Sequence, residues 1–107
     1  MTLLGLDIGT RLLSIGTYTV TAGSPQQLPN TRCKLVVIQA DESNGDISGN
    51  NGILAVGGST VNALSSPPTA IAMLYATNRD EFRVMNANEL YVDSTVTGAK
   101  FSYAIFG

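Results

Sequence analysis

The stretch Lys34-Leu-Val-Val-Ile-Gln39 decides the fold class of this chain. Three of its four apolar residues are β-branched and a polar residue ends the run on each side, which is typical of a short β-strand. Because successive side chains of a strand point to opposite sides, Val36 and Ile38 share one face and Leu35 and Val37 share the other. Either this strand is central in the core of the monomer, or a neighbouring subunit closes one of its faces. We favour the neighbouring subunit, since 107 residues leave little chain for a third layer.

Similar short runs lie between clusters of Gly, Pro, Asn and Asp, and this pattern predicts an all-β domain. The predicted strands span residues 12–21, 32–40, 52–57, 70–77, 89–93 and 100–106, with a further short one at 82–85. Loops are predicted at 23–30, 41–51 and 65–68, and one helical turn between residues 77 and 88, capped by Asn78 or Asp80, is an alternative there. About six to eight strands in this length predict a single antiparallel, jelly-roll-like β-sandwich over residues 11–107.

Alternation within these runs sorts their side chains into an inward and an outward set. The inward set is the predicted core: Val36, Ile38, Leu54, Val56, Ile71, Met73, Leu90, Val92, Phe101, Tyr103 and Ile105. The outward set is Ala55, Ala70, Ala72, Glu89, Tyr91, Asp93, Ser102 and Ala104.

The composition excludes several classes of function. Six basic and eight acidic residues give a net charge of -2, too little positive charge for a phosphate-binding surface, so nucleic acid is not an expected partner. Histidine is absent and Cys33 is the only cysteine, so we expect no catalytic residues, no cofactor and no metal, with Cys33 as a small buried hydrophobe. No apolar run approaches the roughly 20 residues of a membrane span, and the first residues lack the basic start of a signal peptide. We therefore expect a soluble protein made in a cytoplasm, with no membrane partner.

Two short segments suggest ligands but lack the rest of the corresponding sites. Gly5-Leu-Asp-Ile-Gly-Thr-Arg11 resembles the first phosphate loop of actin-like ATPases and sugar kinases, whose two lobes need far more chain than this protein has. Asp41, Glu42, Asn44 and Asp46 offer the oxygen atoms that Ca²⁺ prefers, but their spacing does not match an EF-hand loop. A solvated hairpin loop is the prediction for this acidic segment.

Residues 1–10 are predicted to be either an N-terminal arm or the first strand of the sandwich. They contain four large apolar residues and a single charged one. An exposed arm of this composition would be a liability in solution, so we expect it to dock on a partner; as a first strand, it would turn Leu4, Leu6 and Ile8 inward. The candidate interface residues are Leu3, Leu4, Leu6, Ile8, Leu35 and Val37.

Four segments together resemble a known family. They are Thr31-Arg-Cys-Lys-Leu-Val-Val-Ile-Gln-Ala40, Ile53-Leu-Ala-Val-Gly-Gly-Ser-Thr-Val61, Glu89-Leu-Tyr-Val-Asp-Ser94 and Phe101-Ser-Tyr-Ala-Ile-Phe-Gly107. In this order they are similar to small virion proteins of tailed bacteriophages, which have a Cys-Lys strand, a Val-Gly-Gly-Ser turn, a Leu-Tyr-Val-Asp strand and a terminal Ser-Tyr strand. The chain departs from that family in its apolar Leu35 and Val37 and in the length of the loop at 41–51.

The resemblance implies a small β-sandwich that is a non-enzymatic structural part of a phage virion. It favours a capsid decoration or cement protein that binds the lattice of the major capsid protein, or another virion protein, as a homotrimer. A tail, neck or fibre attachment protein is an alternative within the same family. A carbohydrate-binding module, using loop aromatics such as Tyr75 or Tyr91, is an alternative outside it.

Overall fold

The protein is described by a computed structural model over residues 11–107, in which the regular elements are eight β-strands and two short 3₁₀-helices. The first half of the chain contains β1 (Leu12–Val20), β2 (Gln26–Gln27), β3 (Leu35–Ala40), the 3₁₀-helix η1 (Glu42–Gly45) and β4 (Leu54–Gly57). The second half contains β5 (Ala72–Leu74), β6 (Arg79–Phe82), η2 (Ala87–Glu89), β7 (Tyr91–Ser94) and β8 (Ala99–Phe106). No helix in this described range is long and apolar enough to cross a membrane.

The strands form two antiparallel sheets, each of four strands. The first sheet has the order β1-β8-β3-β6, and the second has the order β2-β7-β4-β5. Each strand of the first half therefore neighbours its counterpart from the second half: β1 lies beside β8, β2 beside β7, β3 beside β6 and β4 beside β5. This nested pairing is that of a jelly roll, in which one long hairpin winds into two sheets. The predicted all-β, jelly-roll-like sandwich is confirmed.

The core lies between the two sheets and contains most of the predicted residues. Val36, Ile38, Leu54, Val56, Leu90, Val92, Phe101 and Ile105 are all buried, and Tyr103 packs partly buried against them. Each strand of the first sheet contributes to this core on one face, because its inward and outward residues alternate. The opposite face of the first sheet is thereby turned outward.

The predicted core was wrong at Ile71 and Met73. Ile71 is 68% exposed, and Met73 packs on the outer side of the second sheet. The register explains both, because Ala72 pairs directly with the buried Val56 and residues opposite one another share a face. Ala72 and Leu74 therefore face the core, and Ala72 does not belong to the outward set.

Two more residues of the predicted outward set are buried. Ala55 and Asp93 lie on the outer side of the second sheet but are only 0% and 1% exposed. The segment that follows β4 returns over this side and brings Val61 and Ala63 against Ala55 as a second small cluster. Alternation assigns the faces of β4 and β7 correctly but does not reveal that a loop covers the outer one.

The limits of the strands also differ from the prediction where a strand is charged or very short. β6 overlaps the predicted strand at 82–85 only at Phe82 and begins three residues earlier. The sequence did not predict this beginning, because Arg79, Asp80 and Glu81 are charged edge residues without an apolar pattern. The two-residue β2 lies inside the predicted loop at 23–30. The alternative of a helical turn capped by Asn78 or Asp80 is wrong, because residues 79–82 form β6; the 3₁₀-helix η2 lies later, at Ala87–Glu89, and its cap is Asn86.

Candidate docking surface

The outward side of the first sheet carries a continuous set of apolar side chains. Across the strands, Ile15 pairs with Ala104 and Ala104 with Val37, while Leu12 pairs with Phe106 and Phe106 with Leu35. Directly opposite residues of an antiparallel pair lie on one face, so these two rows are neighbours on one side of the sheet. We call this surface, formed by Leu12, Ile15, Leu35, Val37, Ala104 and Phe106, the outer face.

The outer face is open to solvent among the described residues. Ile15 is 68% exposed and Leu12 is 54% exposed, while Leu35, Val37, Ala104 and Phe106 are half-buried. No described element lies over these side chains, in contrast to the segment that covers the second sheet. Clustered exposed apolar side chains are characteristic of a binding surface, whereas isolated ones are ordinary.

A shallow groove of about 680 Å³ runs along the outer face. Its apolar lining comes from Ile15, Val37, Ala104 and Phe106, and its polar end from Thr17, Gln39, Ser102 and Arg79. The polar row follows from the same register, since Thr17, Ser102, Gln39 and Arg79 are successive cross-strand partners. Along the strand direction, the lining of the groove therefore changes from apolar side chains to side chains that can form hydrogen bonds.

Charged side chains border this surface on β6 and, beyond the polar row, at the exposed Lys100 on β8. Arg79 and Glu81 lie on the edge strand β6, where Glu81 pairs with Val37 and Arg79 pairs with Gln39. No charged side chain lines the apolar part of the groove. Such a surface can bind by apolar contact and hydrogen bonding, and its lining offers no acid–base pair for proton transfer.

An aromatic cluster supports the first sheet from its inward side. The rings of Tyr18 and Tyr103 stack with centroids 5.6 Å apart, and Tyr18 lies 5.7 Å from Phe101. A Cβ atom at Gly16 would come within 2.5 Å of the Tyr103 Oη, so the glycine makes room for this ring. Burial, together with the neighbouring and hydrogen-bonded Tyr103, raises the pKa of the Tyr18 phenol. The cluster packs across β1 and β8, the strands that carry Ile15 and Ala104.

The acidic segment that begins at Asp41 is used to build a turn. Asp41 caps η1 by accepting hydrogen bonds from the backbone N–H and the hydroxyl of Ser43, and these bonds hold the pKa of its carboxyl below the usual value. Asn44 is fully buried and exchanges two hydrogen bonds of 2.8 Å with the backbone of Lys100. Asp46 accepts the N–H of Gly49 at 2.8 Å. Asp41 and Asp46 thus stabilise the turn itself, and Asn44 ties the turn to β8.

Acidic and sulfur-bearing side chains elsewhere are similarly engaged in local contacts. Glu89 completes a capping box with Asn86 in η2. Cys33, which was predicted to be buried, is only partly buried against the core, and its Sγ lies 3.4 Å from the carbonyl oxygen of Val84. Burial, and secondarily the charge of Glu89, raises the pKa of the Cys33 thiol. Within residues 11–107, no three His, Cys, Asp or Glu side chains come together as a metal site.

The predicted interface residues divide into two groups. Leu35 and Val37 lie side by side on the outer face, and the structure adds Leu12, Ile15, Ala104 and Phe106 to them. Leu3, Leu4, Leu6 and Ile8 lie outside the described residues, as do the arm or first strand predicted at 1–10 and most of the segment that resembles a phosphate loop. The four added residues could not be grouped from sequence, because β1 and β8 lie at opposite ends of the described chain.

Comparison with known proteins adds no relative: no family model, no curated protein and no solved structure matches this chain.

Proposed function

We propose that this protein is a non-enzymatic structural subunit that attaches to a larger protein assembly through the outer face. The observation that carries the proposal is the continuous apolar surface of the first sheet, which is open among residues 11–107 and has charged side chains only at its borders. An assembly subunit present in many copies benefits from such a face, because several weak apolar contacts add up to firm attachment. The net charge of -2 keeps repulsion between copies low.

We further propose that the assembly is the virion of a tailed phage and that the chain decorates its capsid. The support is the resemblance of four sequence segments to small phage virion proteins, together with a jelly-roll order that is also found in viral capsid domains. Those four segments supply β3, β4, β7 and β8, the central strands of the two sheets. Since these strands carry the core, the resemblance concerns the fold more than the binding surface. It does not distinguish the head from the tail, so tail or neck attachment is the alternative within the virion.

A carbohydrate-binding role is the weaker proposal. Of the two aromatic residues that suggested it, Tyr91 packs against the second cluster of Ala55, Val61 and Ala63. Tyr75 is 52% exposed, in the loop between β5 and β6. A single exposed ring is a poor platform for a sugar, which binds more firmly when polar groups converge around it.

The test is attachment of purified protein to virions that were assembled without it. We expect saturable binding to heads by the unaltered chain and a dissociation constant raised about tenfold or more by Leu35→Ser, because a serine removes an apolar side chain from the outer face. Ile71→Ser is the matched control, since Ile71 is exposed on the other sheet. Deletion of residues 2–8 should also abolish binding if they act as an arm.

Each result of this experiment has a distinct meaning. Absence of the chain from complete virions, measured by mass spectrometry and antibody labelling, would reject the virion proposal. Equal binding by Leu35→Ser and the unaltered chain would reject the outer face as the attachment surface. Labelling on tails would replace capsid decoration by tail attachment, and a specific signal on a glycan array would favour the carbohydrate-binding role.

A further inference from the structure

The first sheet has two edge strands, and charged side chains protect only one of them, while β1 has a β-bulge at its start, between Leu12 and Ser14. β6 has four residues, of which Arg79, Asp80 and Glu81 are charged. β1 has nine residues, Leu12–Val20, with no proline and no charged side chain. The edges of the second sheet are the short β2 and β5, with two and three residues. Proteins protect sheet edges by shortening them or placing charges there, so β1 stands out among the described strands as an edge suited to pairing.

The hydrogen bonds of Lys100 reveal which way the backbone of β8 points. Its carbonyl oxygen accepts the N–H of Asp41 at 3.1 Å, and its N–H donates to Asn44 Oδ1 at 2.8 Å. Both groups therefore point toward the β3 side of β8. Because backbone groups alternate along a strand, those of the next residue, Phe101, point the other way, toward β1.

The backbone groups of β1 alternate in direction in the same way as those of β8. Phe101 pairs with Tyr18, so Tyr18 directs its N–H and C=O groups to β8. The corresponding groups of Ile15, Thr17 and Thr19 then point away from β8, into the open edge. All three side chains are exposed. A partner strand can therefore approach these backbone groups without displacing any described residue.

We propose that β1 pairs in antiparallel fashion with β1 of a second copy of this chain, joining two first sheets into one of eight strands. A β-bulge interrupts β1 between Leu12 and Ser14, so pairing about a twofold axis beside Gly16 is regular from Ser14 to Tyr18. In this register Ile15 lies opposite Thr17 of the partner subunit, on the side of the sheet that bears the outer face. The pairing extends the outer face from one copy into the other.

A second copy suits this edge for three physical reasons. The strand is uncharged, so two copies approach without repulsion. Its exposed side chains are complementary about Gly16, since Ile15 on one side of the axis meets Thr17 on the other, and such β-branched pairs stabilise antiparallel strands. The charged residues of β6 disfavour addition at the far edge, so pairing stops at two copies and yields a closed dimer, not a fibre.

This contact uses the edge of the first sheet, whereas the proposed attachment uses its outer face. The two proposals therefore hold or fail separately. A homotrimer, which the sequence resemblance implies, would also require a different contact, because an isologous pair of edges closes at two copies.

The first experiment measures mass in solution by light scattering after size-exclusion chromatography. We expect the unaltered chain to have twice the monomer mass of 11.2 kDa. Thr17→Pro removes an edge-facing N–H and should give a monomer, because proline is tolerated on an edge strand but cannot donate to a partner. Thr17→Ala, the matched control, keeps the N–H and should remain a dimer. If Thr17→Pro fails to fold by circular dichroism, Thr17→Lys places a charge beside the axis and should also give a monomer.

The second experiment measures amide hydrogen exchange residue by residue as the protein is diluted. The amides of Ile15, Thr17 and Thr19 should lose protection on dilution, while those of Gly16 and Tyr18, bonded to β8, stay protected. A monomer at every concentration overturns the proposal, and so does protection of the edge amides that does not depend on concentration. A trimer whose mass is unchanged in Thr17→Pro and Thr17→Lys overturns it as well, and leaves the proposed attachment face untouched.

Discussion

The carboxylate of Asp93 accepts the backbone N–H of Ala63 at 2.8 Å, and this contact holds the covering segment against the second sheet. Its other oxygen accepts the N–H of Gly23 at 3.0 Å. One buried side chain on β7 thus fixes two loops that lie 30 and 70 residues away in the sequence. Because each bond needs an acceptor, only a side chain with two acceptor oxygens satisfies both donors.

Asp93→Asn should therefore destabilise the fold while leaving its shape almost unchanged. The amide offers one acceptor oxygen and turns an NH₂ group toward the second N–H, so we expect a loss of about 1 to 3 kcal/mol in the free energy of unfolding. Urea denaturation measures it. Asp80→Asn, on the exposed edge strand β6, is the control and should change stability by less than about 0.5 kcal/mol. Equal effects of the two substitutions would show that the buried contacts contribute nothing specific.

Asn44 has a role at the end of the first sheet similar to that of Asp93 in the second, because its buried side chain holds a loop to a strand. Its side chain is fully buried and bonds both backbone groups of Lys100. Asn44→Ala leaves the N–H of Lys100 without a partner, while the carbonyl oxygen of Lys100 keeps the N–H of Asp41, and we expect a cost of about 1 to 3 kcal/mol in the same denaturation measurement. Asn50→Ala removes an exposed side chain of the same loop and should be nearly neutral. A neutral Asn44→Ala would mean that water replaces the lost bonds.

Leu90 and Ile71 test how well the core can be distinguished from the surface. Both were predicted inward, but Leu90 is 3% exposed and Ile71 is 68% exposed. Leu90→Ala should cost about 2 to 5 kcal/mol in unfolding free energy, because it removes buried methyl groups and leaves a cavity. Ile71→Ala should change stability by less than about 0.5 kcal/mol. A reversed order of the two values would contradict the register of β5.

These two residues illustrate why the sequence predicts the strands better than their faces. A long strand such as β8 repeats its alternation often enough to identify the buried side, and Phe101, Tyr103 and Ile105 all pack inward as predicted. The three residues of β5 allow either choice, and the larger Ile71 made the wrong side look apolar. Only the pairing of β5 with β4 decides between them, and that contact is not local in sequence.

The docking surface was predictable in part for a related reason. Leu35 and Val37 could be identified because a central strand with two apolar faces is unusual in a two-layer protein. Ile15 and Ala104 read as ordinary strand residues, and they join the outer face only because β1 and β8 become neighbours through the nested topology. Asp93 could not be identified as a structural residue, since both of its partners are backbone groups of distant loops.

The alkaline stability of the protein should depend on Tyr18. Because the pKa of this phenol is raised in the fold, the folded state holds its proton more tightly than the unfolded chain does. Stability present at neutral pH is therefore lost as the pH rises beyond the unfolded value of about 10. Tyr18→Phe cannot ionise and should reduce this loss, measured as unfolding free energy against pH. Tyr103→Phe should reduce it too, by removing the neighbour that helps to raise the pKa. If the unfolding free energy of both variants falls with rising pH as steeply as that of the unaltered chain, Tyr18 is not the group responsible.

Two isoleucines with the same exposure provide a last test of the outer face. Ile15 and Ile71 are each 68% exposed, but Ile15 lines the groove and Ile71 lies on the second sheet. The groove is large enough for a small apolar dye, so the folded protein should bind anilinonaphthalene sulfonate. Ile15→Thr keeps a β-branched residue in the strand and should weaken dye binding about threefold to tenfold, as expected for the loss of one or two methylene contacts. Ile71→Thr should leave binding in the groove unchanged, because Ile71 lines a separate and smaller cavity of about 200 Å³ beside Val61. Near-ultraviolet circular dichroism must show both variants folded, since a loosened core also binds the dye. If both variants bind as the unaltered chain does, the groove is not the apolar surface through which this protein acts.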